Sequence, residues 1–338
     1  MGDDMNPKEN VYNGMFDISK MVLAIFVVAI HAHLLPEILN PLIRMAVPLF
    51  FMMSSYFFFS RGAKLRKFWG RNLRLYGFWF VFLLPVTLKI RHYFENGFLQ
   101  GILKMLQNFL FYSTFRASWY IIALCSAVTI VFLLSKKLSN TTMLAMSVPV
   151  YLLFCLFSNY YRLMERFPGW VSFCEGYQTV FVTLCNNFPV AFIWIVLGKM
   201  FAEDQIPLTV TGSSRLLLIS SVLLIAEHLL ILHFELAAAT DCYIFLIPLC
   251  VAVFSLICHS QITGNRAPLL RKMSTITYVL HSSSIVVIDV VALKLLHLEG
   301  QLLAVVEFAA AIAVCAAAAW IISRLEEYRC FRWLKWAY

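Results

Sequence analysis

Residues 16–35 read FDISKMVLAIFVVAIHAHLL. This is an apolar run of the length that carries one helix across a bilayer, because about 20 mostly apolar residues span the hydrocarbon core. Asp17, Lys20, His31 and His33 interrupt it. Ionisable groups cost about 2.5–3.5 kcal/mol near the centre of a spanning helix, so those present are candidates for chemistry. In a helix, Lys20 and His31 are separated by about 20° beyond three full turns and roughly 16 Å of rise, so they share a face; His33 falls about 220° from Lys20. Asp17, three residues before Lys20, can pair with it at the inner end. The same residues also fit a structural account, in which Lys20 snorkels to the headgroups and His31 makes a hydrogen bond within the bundle.

The rest of the chain repeats the pattern. Of 338 residues, 61% are hydrophobic and 13% charged, with a mean hydropathy of +0.79. An ordinary soluble domain has about 25% charged and 45–50% apolar residues. A soluble enzyme, a disordered chain and a coiled coil are excluded. The net charge of +9 does not point to nucleic acid, because the basic residues sit in short clusters between apolar runs, as in cytoplasmic loops. The predicted fold is all-α, a polytopic membrane protein of about ten transmembrane helices near 16–35, 44–60, 72–92, 117–135, 143–160, 181–200, 215–233, 243–260, 273–294 and 301–323. The sixth window is interrupted by Asn186, Asn187 and Pro189.

With the N-terminus inside, all basic residues but Arg44, Lys89, Arg91, Lys104, Arg116, Arg162, Arg166 and Lys294 fall on the inner side. Both termini are therefore expected in the cytoplasm. The organisation expected is a cytoplasmic segment 1–15, a transmembrane domain 16–323 and a basic, aromatic tail 324–338 lying as an interfacial helix. The first span reads as a retained helix and not as a cleaved signal. Nine scattered cysteines show no metal-ligand spacing and read as buried thiols.

Arg71 and Arg74 begin the third window at i,i+3, a fork of guanidiniums suited to phosphate, with Arg66 and Lys67 just before. Lipid-headgroup anchoring is the alternative. Glu227, His228, His281, Asp289 and Glu307 lie within later windows, and Asp241 stands where the eighth begins. Run in their assigned directions, the windows put Glu227, Glu307 and His31 in the outer half and His281 nearer the inner half. An outer cavity of carboxylates and imidazoles above an inner phosphate site is the expectation, with helix packing the competing role for each group.

Several of these elements resemble the acyltransferase-3 family of membrane proteins. The run from Asp17 to Lys20, then His31, matches its basic residue, ten residues and histidine. Arg44 followed by Val47-Pro48-Leu49-Phe50-Phe51-Met52-Met53-Ser54-Ser55-Tyr56 matches its arginine and VPLFF-M-SGY stretch. Arg71 to Arg74 matches its RxxR element, Ser118-Trp119-Tyr120 its tryptophan-containing helix start, and Ser274 to His281 its S-x-x-x-Y-x-x-H pattern. Asp241-Cys242-Tyr243 is similar to the membrane half of the vancomycin-resistance serine racemases, a branch of that family. Lys20 stands where many members carry arginine, Ser55 where glycine is usual, and Ser282 where proline is common. Neither a racemase domain nor an SGNH-type domain is seen.

The resemblance implies a multi-pass protein of the bacterial cytoplasmic membrane. It implies transfer of an acyl group, typically acetyl, from acetyl-CoA as donor co-substrate to a hydroxyl of an extracytoplasmic or lipid-linked glycan or another small hydroxylated acceptor. On that reading His31 is the base, with Lys20 and Asp17 on its helix. Arg71, Arg74, Arg66, Lys67 and His281 attend the donor. Arg44, Trp119, Glu227, Asp241, Asp289 and Glu307 attend the acceptor. No metal, nucleic acid or obligate oligomer is implied. The runner-up is a transporter or exporter of a small amino acid or polysaccharide, for which the embedded carboxylates and the interrupted sixth window would serve a permeation path.

Overall fold

In the computed structural model the described residues are 14–115, 117–260, 262, 267–295 and 297–338, with Ile90, Ala267, Pro268, Lys294 and Leu295 described by backbone alone. Lys8, Arg116 and Arg266, part of the charge balance above, lie outside them, as does most of the segment 1–15. The described elements are helical: α1 (Met15–His31), α2 (Asn40–Ile43), α3 (Ala46–Ser60), α4 (Leu65–Arg91), α5 (Phe98–Phe111), α6 (Trp119–Leu134), α7 (Asn140–Phe157), α8 (Tyr161–Met164), α9 (Pro168–Phe181), α10 (Phe188–Ala202), α11 (Val210–His233), α12 (Leu246–His259), α13 (Ala267–Leu295) and α14 (Gly300–Leu325). Two short 3-10 segments, Glu37–Leu39 and Arg329–Ala337, complete them. Five stretches are long and apolar enough to cross a membrane: Glu37–Ser60, Asn140–Phe157, Val210–His233, Leu269–Leu293 and Gly300–Leu325. Helices α6, α10 and α12 are apolar but shorter.

Local chemistry sets the helix starts. Ser139 and Thr209 cap α7 and α11 by accepting from the amides of Thr142 and Gly212, each at 3.1 Å. The sixth window differs from expectation. Pro189 lies in the first turn of α10, where a missing N–H costs nothing. Asn187 just before it donates to the Thr183 carbonyl at 3.0 Å and accepts from the Tyr177 hydroxyl at 3.1 Å. The interruption is thus the start of α10.

The centre of the bundle is the contact of α10 with α3, flanked by α6 and α7, while α1 packs on α13 and α3 and α13 on α14. Apolar burial alone does not drive helices together in lipid, so close backbone approach and interhelical hydrogen bonds matter. Gly198 of α10 supplies the approach: a Cβ there would lie 2.4 Å from the Met52 carbonyl oxygen and 2.7 Å from the Ser55 Cβ. Ser55 in turn donates to the Ile195 carbonyl at 2.6 Å. The small serine keeps the crossing narrow and adds a bond across it.

The C-terminal tail is a 3-10 segment folded against α4 and α14. The Trp79 indole donates to the Ala337 carbonyl at 3.0 Å, and the Tyr338 hydroxyl donates to Glu326 at 2.5 Å. Leu334 and Ala337 are buried, while the basic residues Arg329, Arg332 and Lys335 stay exposed.

Gly198→Ala should lower stability by about 1–3 kcal/mol, the usual cost of overpacking. Gly70→Ala on α4, where a Cβ meets nothing within 4 Å, should be neutral or stabilise by about 0.5–1 kcal/mol. Thermal unfolding of both variants in detergent checks the contrast.

Candidate active site

Two contacts fix how α1 lies on α13. At one end Asp17, almost fully buried, accepts from Arg271 through both oxygens, Nη2 to Oδ2 at 3.0 Å and Nε to Oδ1 at 3.3 Å. Lys20 reaches the same carboxylate at 3.8 Å. At the other end the rings of His31 and His281 stand 5.0 Å apart. Helices that touch near both N-termini and again toward both C-terminal halves run parallel. The sequence reading placed His281 at a different depth from His31. However, α13 begins at Ala267, six residues before the expected start at 273, which sets His281 about 21 Å along its helix against about 24 Å for His31 on α1.

The Lys20 end gathers positive charge. Arg61, Arg71 and Arg271 are the cations that act electrostatically on Lys20. Lys20 and Arg61 lie over the Phe57 ring at 4.9 and 4.8 Å. Four cations around the single carboxylate of Asp17 leave an excess of positive charge, a potential that attracts anions. Arg66, Lys67 and Arg74 are exposed on the first turns of α4, outside this group.

The His31 end opens into a cavity of about 370 Å³. His31 and His281 line it, together with Arg44, Asp241, Trp119 and Tyr278. Arg44 donates to Asp241 at 2.7 Å, joining residues 197 positions apart. The Nδ1 of His281 faces the carbonyls of Thr277 at 3.1 Å and Tyr278 at 2.6 Å. Carbonyls only accept, so Nδ1 carries the hydrogen and Nε2 is the basic atom of the neutral ring. His33 follows α1 in a left-handed conformation at φ 51° and does not line the cavity. The arrangement can hold an anion at one end of the α1–α13 pair and accept a proton from a small molecule at the other.

The acyltransferase-3 profile, described as an acyltransferase domain, matches residues 13–324. The chain belongs to the acyltransferase-3 family. It is a multi-pass membrane protein on that ground and on its apolar helices. Two amino-acid racemases of Enterococcus faecalis are each 25% identical to it, over 318 residues (87% of this chain, 42% of the relative) and over 320 residues (86% and 43%). The chain spans less than half the length of these relatives. No solved structure gives a significant match.

Three carboxylates assigned to the acceptor from sequence stand elsewhere in this acyltransferase-3 fold. Glu227 accepts from the amides of Ile244 at 2.7 Å and Phe245 at 3.0 Å and from the Tyr160 hydroxyl at 2.7 Å. It satisfies orphan donors at the start of α12, as buried backbone requires. Its neighbour His228 meets the Tyr243 hydroxyl at 3.0 Å. Asp289 and Glu307 lie close to each other on α13 and α14 and do not line the cavity. The sequence reading treated Arg61 and Arg271 as loop charge only, and did not single out Tyr278 or Arg91, which line the cavity. Tyr278 lay within the S-x-x-x-Y-x-x-H pattern and was legible there, whereas Arg61 and Arg271 needed the helix pairing. The thiol of Cys242 lies beside that of Cys185.

Glu227→Ala should destabilise the protein by about 1.5–3 kcal/mol, the range for hydrogen bonds to a charged group. Glu227→Gln, which keeps an acceptor oxygen, should cost less. Thermal unfolding in detergent checks the order, and a larger loss in the glutamine variant contradicts the capping role.

Proposed function

We propose that the protein is an integral membrane O-acyltransferase that moves an acyl group, acetyl in the simplest case, from acyl-CoA to a hydroxyl of an extracytoplasmic or lipid-linked glycan. The observation that carries this reading is the two-ended α1–α13 pair, with a cation group at Lys20 and two imidazoles on a cavity at His31. The matching arrangement in the membrane is ten spans, both termini cytoplasmic, in the bacterial cytoplasmic membrane. The Lys20 end then opens to the cytoplasm and the cavity to the far side.

Donor phosphates would bind at Arg71 with Lys20, Arg61 and Arg271, and the exposed Arg66, Lys67 and Arg74 would raise the potential that draws in a polyanion. The pantetheine arm follows the shared face from Lys20 to His31. His31 takes the proton of the acceptor hydroxyl, and imidazole suits that step near neutral pH. The oxygen forms a bond to the thioester carbonyl carbon, the C–S bond breaks, and the departing thiolate recovers a proton to give CoA. The Arg44–Asp241 pair and Trp119 offer a carboxylate for a sugar hydroxyl and a ring for its apolar face. His281, its tautomer set by backbone carbonyls, would orient His31.

The test measures CoA binding and transfer of labelled acetyl from acetyl-CoA into the membrane glycan fraction on one set of variants. The Arg71→Ala, Arg74→Ala double variant should weaken CoA binding at least about tenfold, or about 1.4 kcal/mol. His31→Ala should lose transfer by about 10²–10⁴-fold while still binding CoA, and His33→Ala should keep most activity. Unchanged binding in the double variant moves the donor site, and full transfer in His31→Ala overturns the mechanism. A transporter would show no dependence on CoA at all.

A further inference from the structure

Arg91 is the last residue of α4 and lines the cavity. Pro85 lies within the same helix and His92 ends it in a left-handed conformation at φ 49°, so the chain turns away and leaves the arginine at a helix end. Its guanidinium carbon lies 5.1 Å over the ring of Tyr112, another lining residue. Its Nε is buried without a hydrogen-bond partner, and among the described residues no carboxylate pairs with it. The second cation of the cavity is different, because Arg44 is neutralised by Asp241 at 2.7 Å. Asp241 is also the one carboxylate lining the cavity among the described residues. Among the described residues the wall therefore carries one uncompensated positive charge.

A partly buried guanidinium with an unsatisfied donor loses hydration that a ligand can replace. Its planar fork fits the two oxygens of a carboxylate or phosphate. The cavity volume, about 370 Å³, is at the small end of ligand pockets, which suits one sugar or amino-acid unit at a time. Resting on the reading of this cavity as the acceptor site, we propose that it selects a hydroxylated acid, whose carboxylate or phosphate binds Arg91 while its hydroxyl is presented to His31. An uncharged sugar of the same size leaves the Arg91 donors unpaired.

The test uses the full chain in an uncharged detergent and follows tryptophan fluorescence, since Trp119 and Trp194 line the cavity. The probes are glucuronate, glucose 6-phosphate and glucose, the two acids separating carboxylate from phosphate. At least one acid should bind ten times or more tighter than glucose. Arg91→Gln should abolish that preference, Arg91→Lys should keep part of it, and His33→Ala should keep all of it. Equal binding of all three probes overturns the proposal, as does the lack of a saturable response to either acid. Preference surviving in Arg91→Gln also overturns it and makes Arg91 a headgroup anchor. No acyl donor is present, so failure here is distinct from failure of acyl transfer, which is read by the CoA and labelling assays.

Discussion

The buried carboxylate of Asp17 is the constraint on which the layout depends. Arg271 is half-exposed, but removing it would strand a carboxylate that is itself buried, which costs more than the loss of a surface ion pair. Its two oxygens bind Arg271, which fixes the height and rotation of α13 against α1. With that register set, the rise of each helix places His31 and His281 side by side at the other end. The same pair draws Lys20 and Arg71 into one electrostatic group with Arg61. One interaction thus aligns both ends of the candidate site.

The cavity wall opposite α1 depends on a loop and not on a helix. Residues 236–245 enter α12 with amides that have no helical partner. Glu227, Ser158 and Asn159 supply the acceptors, the last two binding the Cys242 amide at 3.2 and 3.0 Å. That scaffold holds Asp241 against Arg44. The embedded polar residues of α11 therefore serve the site by building the loop that carries it. The narrow α3–α10 crossing at Gly198 and Ser55 supports the same region, because Phe51 of α3 and Trp194 of α10 line the cavity.

What was legible in the sequence followed distance along the chain. The Lys20–His31 face came from helical period alone, since both residues belong to one helix. The ten apolar windows came from composition and overlie ten of the helices, of which fewer are long and apolar enough to cross a membrane. Glu227 looked like a cavity carboxylate because the amides it satisfies come 17 and 18 residues later. Asp17 looked like the partner of Lys20 alone because Arg271 lies 254 residues away. His281 was set too deep because polar residues at the start of α13 hid six helical positions. Pro189 and the asparagines before it mark a break or a beginning equally well by composition, and only the tertiary bonds of Asn187 decide.

The central claim is that one parallel helix pair carries the donor from its phosphate end to its imidazole end. A structure of the full chain with CoA bound tests it most directly. The account places the diphosphate among Lys20, Arg61, Arg71 and Arg271 and the thiol within reach of His31 and His281. Phosphates in the Arg44–Asp241 cavity, or a CoA bound away from α1 and α13, would contradict it.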